Sequence, residues 1–321
     1  MINRVIIRSK VVQTYYSYLL SRGEAGITPK WAEDMLRTSL DKTYELYMSM
    51  FQLMIDLTFI HSKDVDEAQY KPFAKEEDKK PNTRLVNNRL VEKIRQSEKF
   101  NHYILNIDGS ISWLDDELHL RTMLGKILAS DIYAQYLASP DSMKSDCDFW
   151  TNVIKNLLLE DELFLEKLET KCIHWVDNVD VVCSFVIKPL RQFSSQNDPV
   201  LDMYLSQQTK SLSFKDDIED SDFGTDLLSR TIASEEANNA LIDRHISASW
   251  DANRIATMDR VILNVAITEV KSYPKIPTPI SINEYVELAK YYGSEKSAPF
   301  INGLLHSVIS ELKKNREIIK A

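Results

Sequence analysis

Residues 280–305 read ISINEYVELAKYYGSEKSAPFINGLL and predict two helices joined by a tight turn. Apolar residues recur at helical spacing on both sides of Gly293. Ser281, followed three residues later by Glu284, predicts a capping box at the start of the first helix. Gly293 predicts the end of that helix through a left-handed backbone, and Ser297 predicts the cap of the second helix. Spacing alone predicts a helical hairpin and indicates no function.

The composition predicts an all-α chain. The protein has 321 residues, of which 44% are hydrophobic and only 7 are glycine, so it can bury one or two sizeable cores. Scarce glycine, with many leucine, lysine, glutamate and isoleucine residues, favours helices. The sequence contains no Gly-rich phosphate loop, no dinucleotide fingerprint, no Gly-x-Ser-x-Gly elbow and no His-Glu-x-x-His helix. We therefore expect neither catalysis nor a cofactor.

The cysteine pattern predicts free thiols and no metal site. Cys147, Cys172 and Cys183 are odd in number and lie in helical-looking sequence, as expected of buried thiols in a reducing cytosol. Cys172, His174 and Cys183 match no usual zinc spacing and lack a fourth ligand. The sequence also has no apolar run of membrane-spanning length and no signal-peptide pattern at its start. A cytoplasmic location without membrane contact is the expectation.

Charge is unevenly distributed along the chain. The net charge is −9, which argues against a protein that binds nucleic acid unaided. The first 22 residues, however, carry Arg4, Arg8, Lys10 and Arg22 and no acidic residue, while most of the net negative charge falls between residues 61 and 219. A basic end and an acidic body suit a protein that touches RNA at one edge and a basic protein elsewhere.

The pattern along the chain predicts three parts. Residues 1–61 read as two N-terminal helices, 62–219 as an acidic helical insert with linkers, and 220–321 as a helical core. Within the insert, the charged, aperiodic residues 62–82 and the polar residues 194–221 predict linkers. Residues 179–190 are Val-rich and could form a strand, but their length and helical setting favour a helix.

Together with residues 258–270, MDRVILNVAITEV, the hairpin closely resembles the signature of the NusB family of transcription antitermination factors. Residues 4–16, RVIIRSKVVQTYY, are similar to the family's opening helix. The resemblance implies an all-α NusB-like bundle, here with an additional helical subdomain that has no counterpart in the signature. The matching positions are Gln13, Tyr16, Asn283, Glu284, Glu287, Leu288, Ala289, Lys290, Gly293, Phe300, Asn302 and Gly303.

The resemblance also implies an RNA site. Basic residues at the start of the first helix would meet phosphates, and aromatic rings would stack on bases. The arginine cluster is thinner here than the family pattern. The implied RNA-binding residues are Arg4, Arg8, Lys10, Tyr16, Asp259, Lys296 and Phe300. Structural roles are expected for Asn283, Glu287, Gly293, Asn302 and Gly303, with Gly303 permitting close helix packing.

The implied function is transcription antitermination. By resemblance, the protein binds boxA-type RNA in nascent ribosomal RNA transcripts with a NusE-type ribosomal protein of the small subunit. The pair then joins RNA polymerase and other Nus factors. One alternative is a protein-binding scaffold that has lost RNA recognition. Another is the helical module of an RNA methyltransferase, which the absence of a Gly-rich cofactor loop disfavours.

Overall fold

The protein is all-α, as the sequence predicts, and its description rests on a computed structural model. The structure describes residues 4–69, 82–107, 109–176, 179–192, 220–246 and 255–318. Within these ranges the regular elements are helices and no strand is present. The α-helices are α1 (Arg4–Ser21), α2 (Pro29–Gln69), α3 (Arg89–Arg95), α4 (Glu98–Asn106), α5 (Glu117–Leu128), α6 (Asp131–Ala138), α7 (Met143–Val153), α8 (Glu162–Lys171), α9 (Ile173–Val176), α10 (Val179–Gln192), α11 (Asp220–Ala233), α12 (Glu235–His245), α13 (Thr257–Ser272), α14 (Thr278–Tyr292) and α15 (Ser297–Lys314).

The chain forms two compact units. The first consists of Met1–Leu40 and Ser206–Ala321, and the second consists of Asp41–Leu205. Helix α2 contributes its first residues to one unit and the rest to the other. The three-part division at residues 61 and 219 therefore stays a prediction, and its first boundary falls inside a continuous helix.

The first unit encloses its own apolar core. Helix α13 lies at the centre of this core, because every residue from Val261 to Val270 is buried. Around it pack α1, the start of α2, α11, α12, α14 and α15. Gly224 in α11 permits close approach to α1, since a Cβ there would lie 2.8 Å from Ile7 Cγ2. Burial of this apolar face supplies the main stabilisation of the unit.

The α14–α15 hairpin forms as predicted, but three of its local signals were misread. Ser297 is the first helical residue of α15 and not its cap, which is Lys296. Helix α14 begins at Thr278, with Pro279 in its first turn, so Ser281 is a buried helical residue and not the cap. Gly293 ends the helix with φ −99°, an ordinary backbone that is not left-handed. Glycine is required there for space, because a Cβ would lie 2.5 Å from the Cβ of Ser297.

The second unit is a separate helical assembly. Side-chain caps start six of its described helices, in which Asn88, Ser97, Asp116, Ser130, Ser142 and Asp161 each accept a backbone N–H. The Val-rich segment is helix α10, which confirms the helical interpretation of residues 179–190.

The structure describes the two predicted linkers only in part. Residues 62–69 continue α2 and are not a linker, because Val65 is buried one turn after the buried His61. Residues 70–81 and 193–219, which include the rest of both predicted linkers apart from their ends, lie outside the described residues.

The three cysteine side chains differ in burial. Cys147 and Cys183 are buried and Cys172 is partly buried. Burial raises the pKa of Cys147 to about 12, so this thiol stays protonated at neutral pH. Among the described residues, no group of histidine, cysteine, aspartate and glutamate side chains is placed to hold a metal ion. No helix in the described ranges is both long and apolar enough to cross a membrane.

Candidate nucleic-acid interface

A buried ion pair fixes α1 to α13. The guanidinium of Arg8 donates to the carboxylate of Glu269 from Nε, at 2.7 Å, and from Nη2, at 2.9 Å. Only 3% of Arg8 and 0% of Glu269 is exposed. Burial alone would lower the pKa of Arg8, but the paired carboxylate raises it above its usual value. The pair is therefore charged and bidentate, the strongest form of this contact.

Helix α14 completes the coordination of Glu269. Ser281 Oγ donates to Oε1 at 2.7 Å, and Tyr285 Oη donates to Oε2 at 2.8 Å. Glu284 lies 3.6 Å from Arg8 and adds a second, more distant acid. The carboxylate of Glu269 thus joins three helices, and this explains why Ser281 is not available as a cap.

The structure overturns the expectation that the basic residues of α1 sit at a solvated helix start. Arg8 is committed to Glu269, and Lys10 is only 1% exposed. Both lie on the face that packs into the bundle, so neither presents its charge to a phosphate. Arg4 is partly buried, with its guanidinium carbon 5.0 Å from the centre of the Phe223 ring.

One side of α1 instead meets the end of α14. Ser9 Oγ and Tyr292 Oη are 2.7 Å apart, and Gln13 Nε2 donates to the same hydroxyl at 3.0 Å. Tyr16 lies one turn beyond Gln13 and is partly buried against the core. Tyr292 was not singled out from the sequence, although it belongs to the aromatic pair that precedes Gly293 in the signature.

The turn after Tyr292 carries two more of the predicted site residues. Lys296 is exposed, and Phe300 is half-buried against the core in the first turn of α15. We call Gln13, Tyr16, Tyr292, Lys296 and Phe300 the aromatic edge. Partly exposed rings beside a cation are the side chains that bind single-stranded RNA.

Asp259 does not belong to this exposed set. It is buried in the first turn of α13. Burial raises the pKa of Asp259, and the nearby Ser297 opposes that shift.

Four further signature residues are on the surface. Asn302 and Gly303 are exposed on α15, and a Cβ at Gly303 would meet nothing within 4 Å. The expectation that Gly303 permits close helix packing is therefore wrong. Asn283 and Glu287 are exposed as well, and Glu287 pairs with Lys290 at 2.5 Å.

The first unit is thus a helical domain with an aromatic, partly basic edge. Residues 184–310 match the NusB family model. The chain therefore contains a NusB-family domain.

The chain is also similar to proteins named transcription antitermination protein NusB. The relative from Myxococcus xanthus is 40% identical over 92 residues, which cover 29% of this chain and 65% of the relative. The relative from Pelotomaculum thermopropionicum is 43% identical over 86 residues, covering 26% and 60%. The relative from Agathobacter rectalis is 49% identical over 67 residues, covering 21% and 50%. The chain thus spans less than two thirds of these relatives. No solved structure matches.

Proposed function

We propose that this protein acts in transcription antitermination by binding boxA-type RNA in nascent ribosomal RNA transcripts. A NusE-type ribosomal protein of the small subunit binds with it, and the pair joins RNA polymerase and other Nus factors. The similarity to NusB antitermination proteins supports this assignment. The role involves no catalytic step, and it places the protein in the cytoplasm with the transcript.

The aromatic edge is the observation that carries the RNA assignment. Tyr16, Tyr292 and Phe300 offer partly exposed rings on which unstacked bases can lie. Lys296 adds an exposed cation beside Phe300. Arg8 and Lys10 act instead by holding α1 in the bundle, and so they position the edge without touching RNA.

A basic partner protein would offset the repulsion between this acidic chain and the RNA phosphates. A chain with net charge −9 repels the phosphate backbone at long range. A basic ribosomal protein bound beside the aromatic edge would supply phosphate contacts that this chain lacks. RNA affinity is then a property of the composite surface.

The test is binding of the full chain to a short boxA-type RNA, measured by fluorescence anisotropy at two salt concentrations. A scrambled RNA of equal length is the control. We expect salt-sensitive binding that tightens when the NusE-type protein is added. Equal affinity for both RNAs, with and without the partner, would contradict the proposal.

A second candidate is a protein-binding scaffold without RNA recognition. The burial of Arg8 and Lys10 favours it, because it leaves fewer cations for phosphate than the sequence suggested. Salt dependence separates the two functions. RNA binding weakens with a slope near −0.7 per phosphate contact on logarithmic axes, whereas an apolar protein interface shows little dependence.

A further inference from the structure

The second unit carries an exposed groove between α5 and α8. Lys126 Nζ lies 2.6 Å from Asp161 Oδ2, and Lys167 Nζ lies 2.6 Å from Asp116 Oδ2. Asp116 caps the start of α5, and Lys126 lies in its last turn. Asp161 caps the start of α8, and Lys167 lies in its second half. The two helices therefore run side by side in opposite directions, and at one end Lys126 and Leu163 line an open pocket of about 530 Å³.

The face that α5 turns to solvent is apolar or small. Leu118, Thr122 and Gly125 recur at helical spacing and are exposed, so they form one stripe along the helix. Leu118 is 79% exposed, although the opposite face of α5 is buried. A Cβ at Gly125 would meet nothing within 4 Å, so no packing among the described residues requires glycine there. Glycine weakens an exposed helix position relative to alanine, and it suits a place where another backbone approaches closely.

The solvent face of α8 is acidic. Leu163 lies one turn before Lys167 and is 48% exposed, so it borders the groove. Beyond it, Glu162, Glu166 and Glu169 follow the outer face of α8 at helical spacing, and all three are exposed. Within the described ranges none of these glutamates forms an ion pair, whereas Lys167 is held by the aspartate that caps α5. The groove thus has an apolar floor and one uncompensated acidic edge.

We propose that the groove between α5 and α8 binds an amphipathic, basic helix of another protein. The apolar face of that helix lies on Leu118 and Leu163, and Gly125 lets its backbone approach α5 closely. Its lysine and arginine side chains meet the row of glutamates on α8. Charge complementarity selects this occupant, because a phosphate-bearing ligand would face unpaired carboxylates. The groove belongs to a different unit from the aromatic edge, so the proposal does not depend on RNA binding.

The test uses the full chain and three fluorescein-labelled peptides of about 18 residues, which is five helical turns. In the first peptide, leucines repeat at helical spacing and lysines fill the other positions. The second replaces every lysine by glutamate, and the third scrambles the order of the first. Binding is followed by fluorescence anisotropy at two salt concentrations. We expect tight binding of the first peptide alone, weakened by salt because the paired charges are exposed.

Gly125→Leu fills the groove from an exposed position, where the structure has room for a side chain. It should weaken binding of the first peptide on the order of tenfold, because it blocks the centre of the interface. Gly303→Leu makes the same change at an exposed helical glycine of the first unit, and this matched control should keep the full affinity.

Glu166→Lys should weaken binding of the same peptide by roughly fivefold through like-charge repulsion at an exposed edge. Glu92→Lys, at a side chain of α3 that is 57% exposed, changes the net charge equally and should have little effect. The melting temperature of each variant shows that it is folded.

Three results of the peptide titrations would overturn the proposal. They are failure of every peptide to bind, equal binding of the first and third peptides, and full affinity in Gly125→Leu. A dimer of the natural chain that Gly125→Leu abolishes in sedimentation would also overturn it, since a second copy would then occupy the groove. None of these results bears on RNA binding at the aromatic edge, so the proposed function is tested separately.

Discussion

At the scale of the residue, Arg8 belongs to the predicted motif, but its side chain forms a buried ion pair instead of the expected RNA contact. The sequence places a cation in a helix that resembles an RNA-binding helix. Helical periodicity, however, puts Arg8 on the same face as Val11, Val12 and Tyr15, all of which are buried. Only the position of Glu269, 261 residues away, turns that burial into an ion pair. Local pattern cannot supply a partner so distant in sequence.

We expect Arg8→Gln to destabilise the first unit. The substitution leaves the charge of Glu269 buried without its partner, and such losses cost about 3–5 kcal/mol. Urea unfolding measures the change. Lys290→Gln, which breaks an exposed pair on α14, should cost about 0.5 kcal/mol or less. If Arg8→Gln lowers RNA affinity while the unfolding midpoint is unchanged, Arg8 contacts phosphate after all.

Substitution by alanine should lower the stability at Gly293 and raise it at Gly303. Gly293→Ala places a Cβ 2.5 Å from Ser297 and 2.7 Å from the Ala289 carbonyl, an overpacking that costs about 1–3 kcal/mol. Gly303→Ala adds a methyl group to an exposed helical position, where alanine is favoured by about 0.5–1 kcal/mol. Thermal melting of both variants tests the pair. Equal effects would show that the turn adjusts to accept a side chain.

At the scale of the element, the sequence periodicity did not predict how far helix α2 extends. Residues 62–69 read as a charged linker, yet they continue the helix because Val65 and His61 reach the buried side. Neither ring nitrogen of His61 has a hydrogen-bond partner among the described residues. Burial lowers the pKa of His61 below its usual 6.5, while Asp64 opposes the shift. A short charged segment with one apolar residue gives too weak a period to predict this packing.

His61 should make the second unit sensitive to acid. A lowered folded-state pKa means that the stability is fully present above pH 6.5 and is lost as the pH falls through the folded-state value. We expect His61→Leu to remove that loss between pH 7.5 and pH 5.5, measured by urea unfolding at both values. His102→Leu, at an exposed position in the same unit, should keep the natural dependence. The same pH response in the natural chain and in His61→Leu would exclude His61 as its source.

At the scale of the whole molecule, the sequence could predict the fold class and the NusB-like hairpin, because both depend on local periodicity and a local signature. The division into two compact units was less accessible, since it cuts through α2, where no composition change marks it. The site was predictable in part. Lys296 ends a turn whose position, though not its backbone conformation, follows from the sequence, and Phe300 lies in the first turn of the helix after it. The buried roles of Arg8, Lys10 and Asp259 depend on helices brought together by the tertiary fold.

The charge of the whole molecule decides how much one exposed cation matters. The chain carries 39 basic and 48 acidic residues, so Lys296 works against a negative background. We expect Lys296→Ala to weaken boxA-type RNA binding without changing the melting temperature. The slope of log affinity against log salt concentration should become shallower by about 0.7, the value for one phosphate contact with a single strand. Lys313→Ala, at an exposed lysine in the last turn of α15, is the matched control and should leave the slope unchanged. An equal decrease in both variants would mean that the RNA responds to net charge alone, and it would remove Lys296 from the aromatic edge.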